Sequence, residues 1–324
     1  MSAVANVAIH SSQFPEQIRC DLLNSLRLRQ IAHKFHYDSV KQTQKWLALH
    51  QQFSPSRNDE NCRAIYECSF EAVAKEIRCE KLHVIGLGCG GGRKDVRLIQ
   101  MLKNCANEIF YTPCDVASAM VLTAREAALS DISETQILPL VCDLQTAADL
   151  PSILDLYRNL RATRIVTFFG MIPNFEPEDI LPKLASVIRP KDILLFSANL
   201  APGLDYGAGM KRILPQYDNN LTRDWLLTFL LDLGISINDG ALLFKIEDTP
   251  DNLKRVVAFF RLNRACQIKI NDDSFTFEPG ESIRLFFSFR YTPDRIRALL
   301  SRHNLDVRKE WITESGEEGI FLCA

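Results

Sequence analysis

The stretch HVIGLGCGGGRKD, residues 83–95, holds five glycines in thirteen residues and closes on a basic pair and an aspartate. It overlaps an apolar run, LHVIGLG (82–88), and it runs on into VRLIQMLKNCA, whose apolar positions repeat at helical spacing. Glycines at a strand-to-helix turn let the backbone approach a ligand without Cβ clashes, whether that ligand is a pyrophosphate or a sulfonium amino acid. Gly86-Leu-Gly88-Cys-Gly90-Gly91 satisfies both the GxGxxG and the GxGxG spacing. A tight turn without any ligand needs fewer glycines than this.

Outward from the turn, β-branched and aromatic runs recur at IFYTPCDV (109–116), ILPLVCDL (137–144), RIVTFFGMI (164–172) and DILLFSANL (192–200), with helical segments such as PEDILPKLASVI between them. Near-continuous apolar strands alternating with helices indicate an α/β chain with a parallel sheet covered on both faces, whose ligands bind at the carboxyl ends of the strands. After Leu200 the rhythm breaks. LTRDWLLTFLLDLGI reads as a helix, while VVAFFRL, CQIKIND, FTFEPGESIRLFFSFRY and GIFLCA read as β segments. TPDRIRALLSRHN opens with a threonine cap and a proline at the first helical position. Before residue 80, LLNSLRLRQIA and KQTQKWLALHQQF read as helices.

The second strand ends at Asp115 and the third at Asp143. Asp115 stands where a carboxylate accepts hydrogen bonds from a ribose diol, a feature shared by NAD and S-adenosyl-L-methionine. Asp143, followed by the apolar Leu144, suits an adenine amino group and ring face; capping a helix is its simpler role. An NAD-dependent oxidoreductase would call for another βαβ unit beyond the fifth strand, and antiparallel β segments stand there instead. Methyl transfer is the better reading.

A formal charge of −2 gives little drive toward phosphate backbones, so nucleic acid is not an expected partner. Ten cysteines at 20, 62, 68, 79, 89, 105, 114, 142, 266 and 323 form no CxxC pair, which points to reduced, buried thiols in a cytoplasmic protein and to no metal site. No apolar run approaches the ~18 residues that cross a bilayer, so a soluble protein is expected.

Eight motifs in order resemble the histidine Nα-methyltransferases of ergothioneine biosynthesis and their relatives, which include fungal enzymes that N-methylate prenylated tryptophan. GLGCGGGRKD resembles that family's ELGSGTSRKT, YTPCDV its YxPVDVS, LVCDL its GDF, and FFGMIPNFEPED its FLGGTIGNLxPxE. KFHYDSVKQTQKWLALHQQFSPSR is similar to KYFYDxxGSxLFxxIxxLPEYYPTR; QYDNN, RVVAFFR and GESIRLFFSFRY are similar to AYDD, RIEMHLR and GExIxTExSxKY.

The resemblance implies a Rossmann-like class I S-adenosyl-L-methionine-dependent methyltransferase with an added substrate-binding lobe. Residues 1–75 would form the helical part of the lobe, 76–200 the donor domain, 201–290 the lobe insertion and 291–324 a return to the sheet. Gly88, Gly90, Lys94, Asp115, Asp143 and Leu144 would hold the cofactor. Asn174 would bind the substrate's carboxylate or amine beside Tyr37 and Tyr217, and Ser288 would read its side chain. Tyr217 and a water near Asp218 are the candidates for taking the amine's proton. The partner implied is a small-molecule amino-acid substrate; the sequence leaves the oligomeric state open, with a monomer favoured.

The family's imidazole-gripping glutamate is Phe286 here, and the tyrosines of EYYPTR are Phe53 and Ser54. Losing that acceptor removes a charge-assisted hydrogen bond of roughly 1.5–3 kcal/mol, so an aromatic or apolar side chain suits the pocket better than histidine. MIPNF lacks the second glycine of GGTIGN and sets Pro173 before Asn174. None of the histidines at 10, 33, 36, 50, 83 and 303 occupies a position to which the family motifs assign a role. A protein that binds the cofactor or an amino acid without turnover is the alternative from another class.

Overall fold

The glycine stretch leaves β2 (Cys79–Leu87), the strand about which the sheet is organised. The computed structural model describes residues 4–155 and 161–323; Ala324, the last residue of the GIFLCA run, lies outside them. β2 is buried from Leu82 onward, as an apolar run covered on both faces requires. It pairs in parallel with β3 (Ala106–Asp115) on one side and β5 (Thr163–Phe169) on the other. Eight strands follow the order β1-β4-β3-β2-β5-β6-β13-β12, with β1 at Ala8–Ile9, β4 at Leu140–Val141, β6 at Ile193–Asn199, β12 at Val307–Ile312 and β13 at Glu318–Cys323. Strand order reverses beside β2, which opens a crevice above its carboxyl end.

One face of the sheet is covered by α4 (Glu60–Glu76), α5 (Arg93–Leu102) and α6 (Ser118–Ala128), the other by α7 (Leu150–Asp155), α8 (Pro177–Val187) and α11 (Pro293–Arg302). The Thr292 hydroxyl accepts from the Arg295 amide and Pro293 follows it, which is the cap expected from the sequence. β13 runs antiparallel to β6, and β12 antiparallel to β13, so the carboxyl-terminal residues return to the sheet.

Two elements differ from expectation. The third strand shrinks to Leu140–Val141, because Pro139 has no amide to donate and interrupts the ladder after the Tyr111–Ile137 bridge. Ahead of the first helix, α1 (Pro15–Leu28), the residues Ala8 and Ile9 pair in parallel with β4, too short a strand for periodicity to reveal. The first 75 residues therefore divide, with β1 and α4 on the sheet and most of the rest on the second lobe.

That lobe joins α1, a 3-10 turn over His33–His36 and α2 (Val40–Phe53) to α9 (Tyr206–Tyr217), α10 (Asn220–Asp232) and two small sheets. The larger one, β11-β8-β7, comprises β7 (Gly240–Asp248), β8 (Lys254–Leu262) and β11 (Ser282–Arg290); β9 (Cys266–Ile270) and β10 (Asp273–Phe277) form a hairpin. α3 (Pro55–Asn58) connects α2 to α4. Leu23, Leu26 and Phe35 share one core with Trp225, Phe229, Phe260 and Phe286, which ties the amino-terminal helices to the insertion. No helix among the described residues is long and apolar enough to cross a membrane. Cys62, Cys105, Cys114, Cys142 and Cys323 are buried thiols, whereas Cys20 and Cys68 lie exposed.

Candidate active site

Past Leu87 the chain turns through Gly88 and Gly90 at φ +71° and +52°, conformations that side chains rarely adopt. A Cβ at Gly88 would also crowd the Met171 side chain, which would have to shift. The Gly88 and Cys89 amides donate to the Cys114 carbonyl at 2.8 and 3.0 Å, and the Gly90 amide donates to Asp115 Oδ2 at 2.9 Å. Asp115 Oδ1 accepts from the Ala117 amide at 3.1 Å. Burial pushes the Asp115 carboxyl above the usual range, against the pull of these amides. Turn and carboxylate are thus locked to each other at the ends of adjacent strands.

Asp143 is also buried. Its Oδ1 accepts from the Gln145 amide at 2.9 Å and its Oδ2 lies 3.1 Å from Lys34 of the 33–36 turn. Leu144 packs into the core beneath the sheet. Lys94, in the first turn of α5, donates to the Tyr66 hydroxyl at 2.6 Å and stands 3.6 Å from Glu318 Oε1. Tyr66 in turn donates to Glu318, with the Ser197 hydroxyl 2.9 Å away. No sequence pattern signals this cluster, since Tyr66 and Glu318 are 252 residues apart.

The lobe reaches down to the turn. Tyr37 packs against Trp46 and Trp225, with ring centroids at 5.9 and 5.5 Å, and burial together with the charge of Asp115 pushes its phenol up. Trp46, which motif comparison passed over, lies across Gly90. Tyr217, Phe286 and Ser288 come together: Tyr217 and Ser288 share a hydrogen bond of 2.8 Å, and the Tyr217 and Phe286 rings lie 6.1 Å apart. Phe286 also meets Trp225 at 5.8 Å and His33 at 5.2 Å. Both ring nitrogens of His33 are buried without a hydrogen-bond partner among the described residues.

Asn174 closes a 3-10 turn over Ile172–Asn174 that packs on β11, just after Met171. No group among the described residues hydrogen-bonds its side-chain amide. Phe53 is 47% exposed at the end of α2 and joins none of these ring contacts. Asp218 is taken up by Arg223, whose Nε lies 2.6 Å from its carboxylate. Two open grooves of about 490 Å³ lie elsewhere and include none of the candidate residues.

The model of the family described as histidine-specific methyltransferase, SAM-dependent, matches residues 18–324. The chain belongs to this family. It is a methyltransferase whose cofactor is S-adenosyl-L-methionine. Among curated proteins it is similar to the N-methyltransferase imqF of Aspergillus flavus, 26% identical over 250 residues, which span 73% of this chain and 66% of that one. The chain thus matches just under two thirds of its relative's length. Among solved structures it resembles magnesium protoporphyrin IX methyltransferase from Synechocystis PCC 6803 with bound SAH (10% identity, 88% of this chain and 94% of that one, TM-score 0.43). It also resembles the mitomycin 7-O-methyltransferase MmcR (13% identity, 96% and 69%, TM-score 0.41).

The methyltransferase's own residues suit an adenosine sulfonium. A bare-backbone turn lies beside a carboxylate at the carboxyl ends of β2 and β3, where adenosine ligands of such sheets bind.

Proposed function

We propose that this methyltransferase transfers a methyl group to the α-amino nitrogen of a free amino acid with an aromatic or apolar side chain. The observation that carries the reading is Phe286, buried among His33, Tyr217 and Trp225 where the family motif has a glutamate. Rings pack on rings, and an imidazole would find no acceptor on that residue.

Gly88, Gly90 and Asp115 would hold the cofactor's amino acid and ribose, Asp143 and Leu144 its base, and Lys94 its charged end. When bound, S-adenosyl-L-methionine supplies an activated methyl group. The protein supplies position and protonation state. An α-ammonium has no lone pair and must shed a proton before it attacks; the Tyr217 hydroxyl is the candidate relay, receiving that proton as it hands its own to water. Asn174, whose amide has no partner among the described residues, would fix the substrate's backbone, with Tyr37 beside it and Ser288 behind Tyr217. Phe53, at the rim, would meet the substrate only if α2 moved inward. The two lobes would close over the substrate between them.

The test is incubation with labelled methyl donor and a panel of amino acids that includes phenylalanine, tyrosine, tryptophan and histidine, read by mass spectrometry. Label on the α-nitrogen of an aromatic member is expected. Label on oxygen or ring carbon, or on none of them, overturns the reading.

A further inference from the structure

The motif ELGSGTSRKT opens on glutamate and closes on threonine; its counterpart here, GLGCGGGRKD, opens on Gly86 and closes on Asp95. An acid is missing at one end of the stretch and an acid is gained at the other. The fold brings those two ends together. Gly86 is buried near the end of β2, and a Cβ on it would fall on the Asp95 carboxylate, 3.0 Å from its Cγ. Gly86 pairs with Pro113 and Thr167 in the regular ladder, so what bars a side chain at 86 is Asp95 and not the backbone.

Asp95 lies in the first turn of α5 and is 3% exposed. Its Oδ2 accepts from the Tyr111 hydroxyl of β3 at 2.8 Å, and its Oδ1 from the Thr167 hydroxyl of β5 at 2.7 Å. One side chain on the helix therefore pins both strands that flank β2, at the foot of the Gly88–Gly92 turn. Two hydroxyl donors and a helix amino terminus suit an ionised acid. Burial lifts the carboxyl to about 6 against the pull of Thr167 and Tyr111, which leaves it charged above neutrality. No cation among the described residues forms an ion pair with it, and the adjacent Lys94 turns to Tyr66 and Glu318 instead.

We infer that Asp95 stands in for the motif glutamate: from the other end of the stretch it sets the glycine turn, and its charge favours the cationic methyl donor over the spent cofactor. The inference rests on the reading above, in which this turn holds the cofactor. Asp95 is then a positioning residue that acts through the turn and through its field. An uncompensated buried carboxylate attracts a nearby sulfonium, and S-adenosylhomocysteine has no such charge.

The experiment titrates the full chain calorimetrically with S-adenosyl-L-methionine and with S-adenosylhomocysteine, in mildly alkaline buffer without substrate. Asp95→Asn keeps the shape and removes the charge; affinity for the donor relative to the spent cofactor should fall about fivefold or more. A brace with no electrostatic part would lower both affinities alike. Gly86→Glu alone should weaken both by about tenfold or more, because two acids then contest one space. Gly86→Glu combined with Asp95→Thr restores the motif at both positions and should bring both affinities to within about threefold of the unaltered chain. A ratio unmoved by Asp95→Asn overturns the inference, as does an exchange variant that binds no better than Gly86→Glu alone. Should the exchange variant fail to fold, Asp95→Asn decides. Asp115→Ala with both affinities intact would instead strike the cofactor-site reading, and this inference with it.

Discussion

Trp46 lies across Gly90, its Cη2 atom 3.5 Å from the point that a β-carbon on the glycine would take. A residue of the lobe, itself stacked on His50 at 4.8 Å, thereby touches the turn proposed to hold the cofactor. Trp46→Ala is expected to weaken S-adenosylhomocysteine binding by about tenfold, the scale of one lost aromatic contact. Calorimetric titration checks this, and unchanged affinity would leave Trp46 a packing residue only.

Lys34 is buried between Asp21 and Asp143, 3.1 Å from the latter. Lys34→Met would strand two carboxylates, one of them well buried. A loss of about 3 kcal/mol is expected in urea denaturation at neutral pH, the scale for removing one partner of a buried pair. A loss well under half of that would mean that water reaches the acids.

Burial, with the charges of His36 and Arg284, pushes His33 down to about 3 from 6.5. The folded chain thus keeps this ring neutral while the unfolded chain protonates it below 6.5, so its contribution to stability is full above that pH and falls on acidification toward 3. Between pH 6.5 and 5 the loss from this one ring is about 2 kcal/mol. His33→Phe should remove that share of the slope and suit the Phe286 and Phe287 edges, at 5.2 and 4.7 Å. Denaturation curves at both pH values measure it; equal slopes in the two proteins would show the ring to be hydrated.

Phe286→Glu would place a carboxylate beside His33 and on the face of Ser288 and Arg290. Relative kcat/KM for histidine over phenylalanine is expected to rise by about tenfold. A ratio that does not move takes Phe286 out of the pocket.

Much of this was legible in the sequence for a physical reason. Apolar runs such as LHVIGLG must be buried on both faces, and a carboxylate at a strand end, as at Asp115, points to the crevice whatever follows. Tyr217 and Ser288 were grouped by motif, and they share a hydrogen bond. What escaped depends on long-range geometry. The ties from Lys94 through Tyr66 to Glu318, and from Lys34 to Asp143, join residues that no periodicity relates. Pro139 should have warned that the third strand would be short.

Residues 8–12 brace β4, the strand nearest Asp143: the Ala8 amide donates to the Pro139 carbonyl at 3.0 Å, the His10 amide to the Val141 carbonyl at 2.9 Å, and the Ser12 hydroxyl accepts from the Asp143 amide at 3.0 Å. Trimming by protease ahead of Pro15 would bare the β4 edge, a template for pairing with another molecule. Recombinant preparations nicked there should clump.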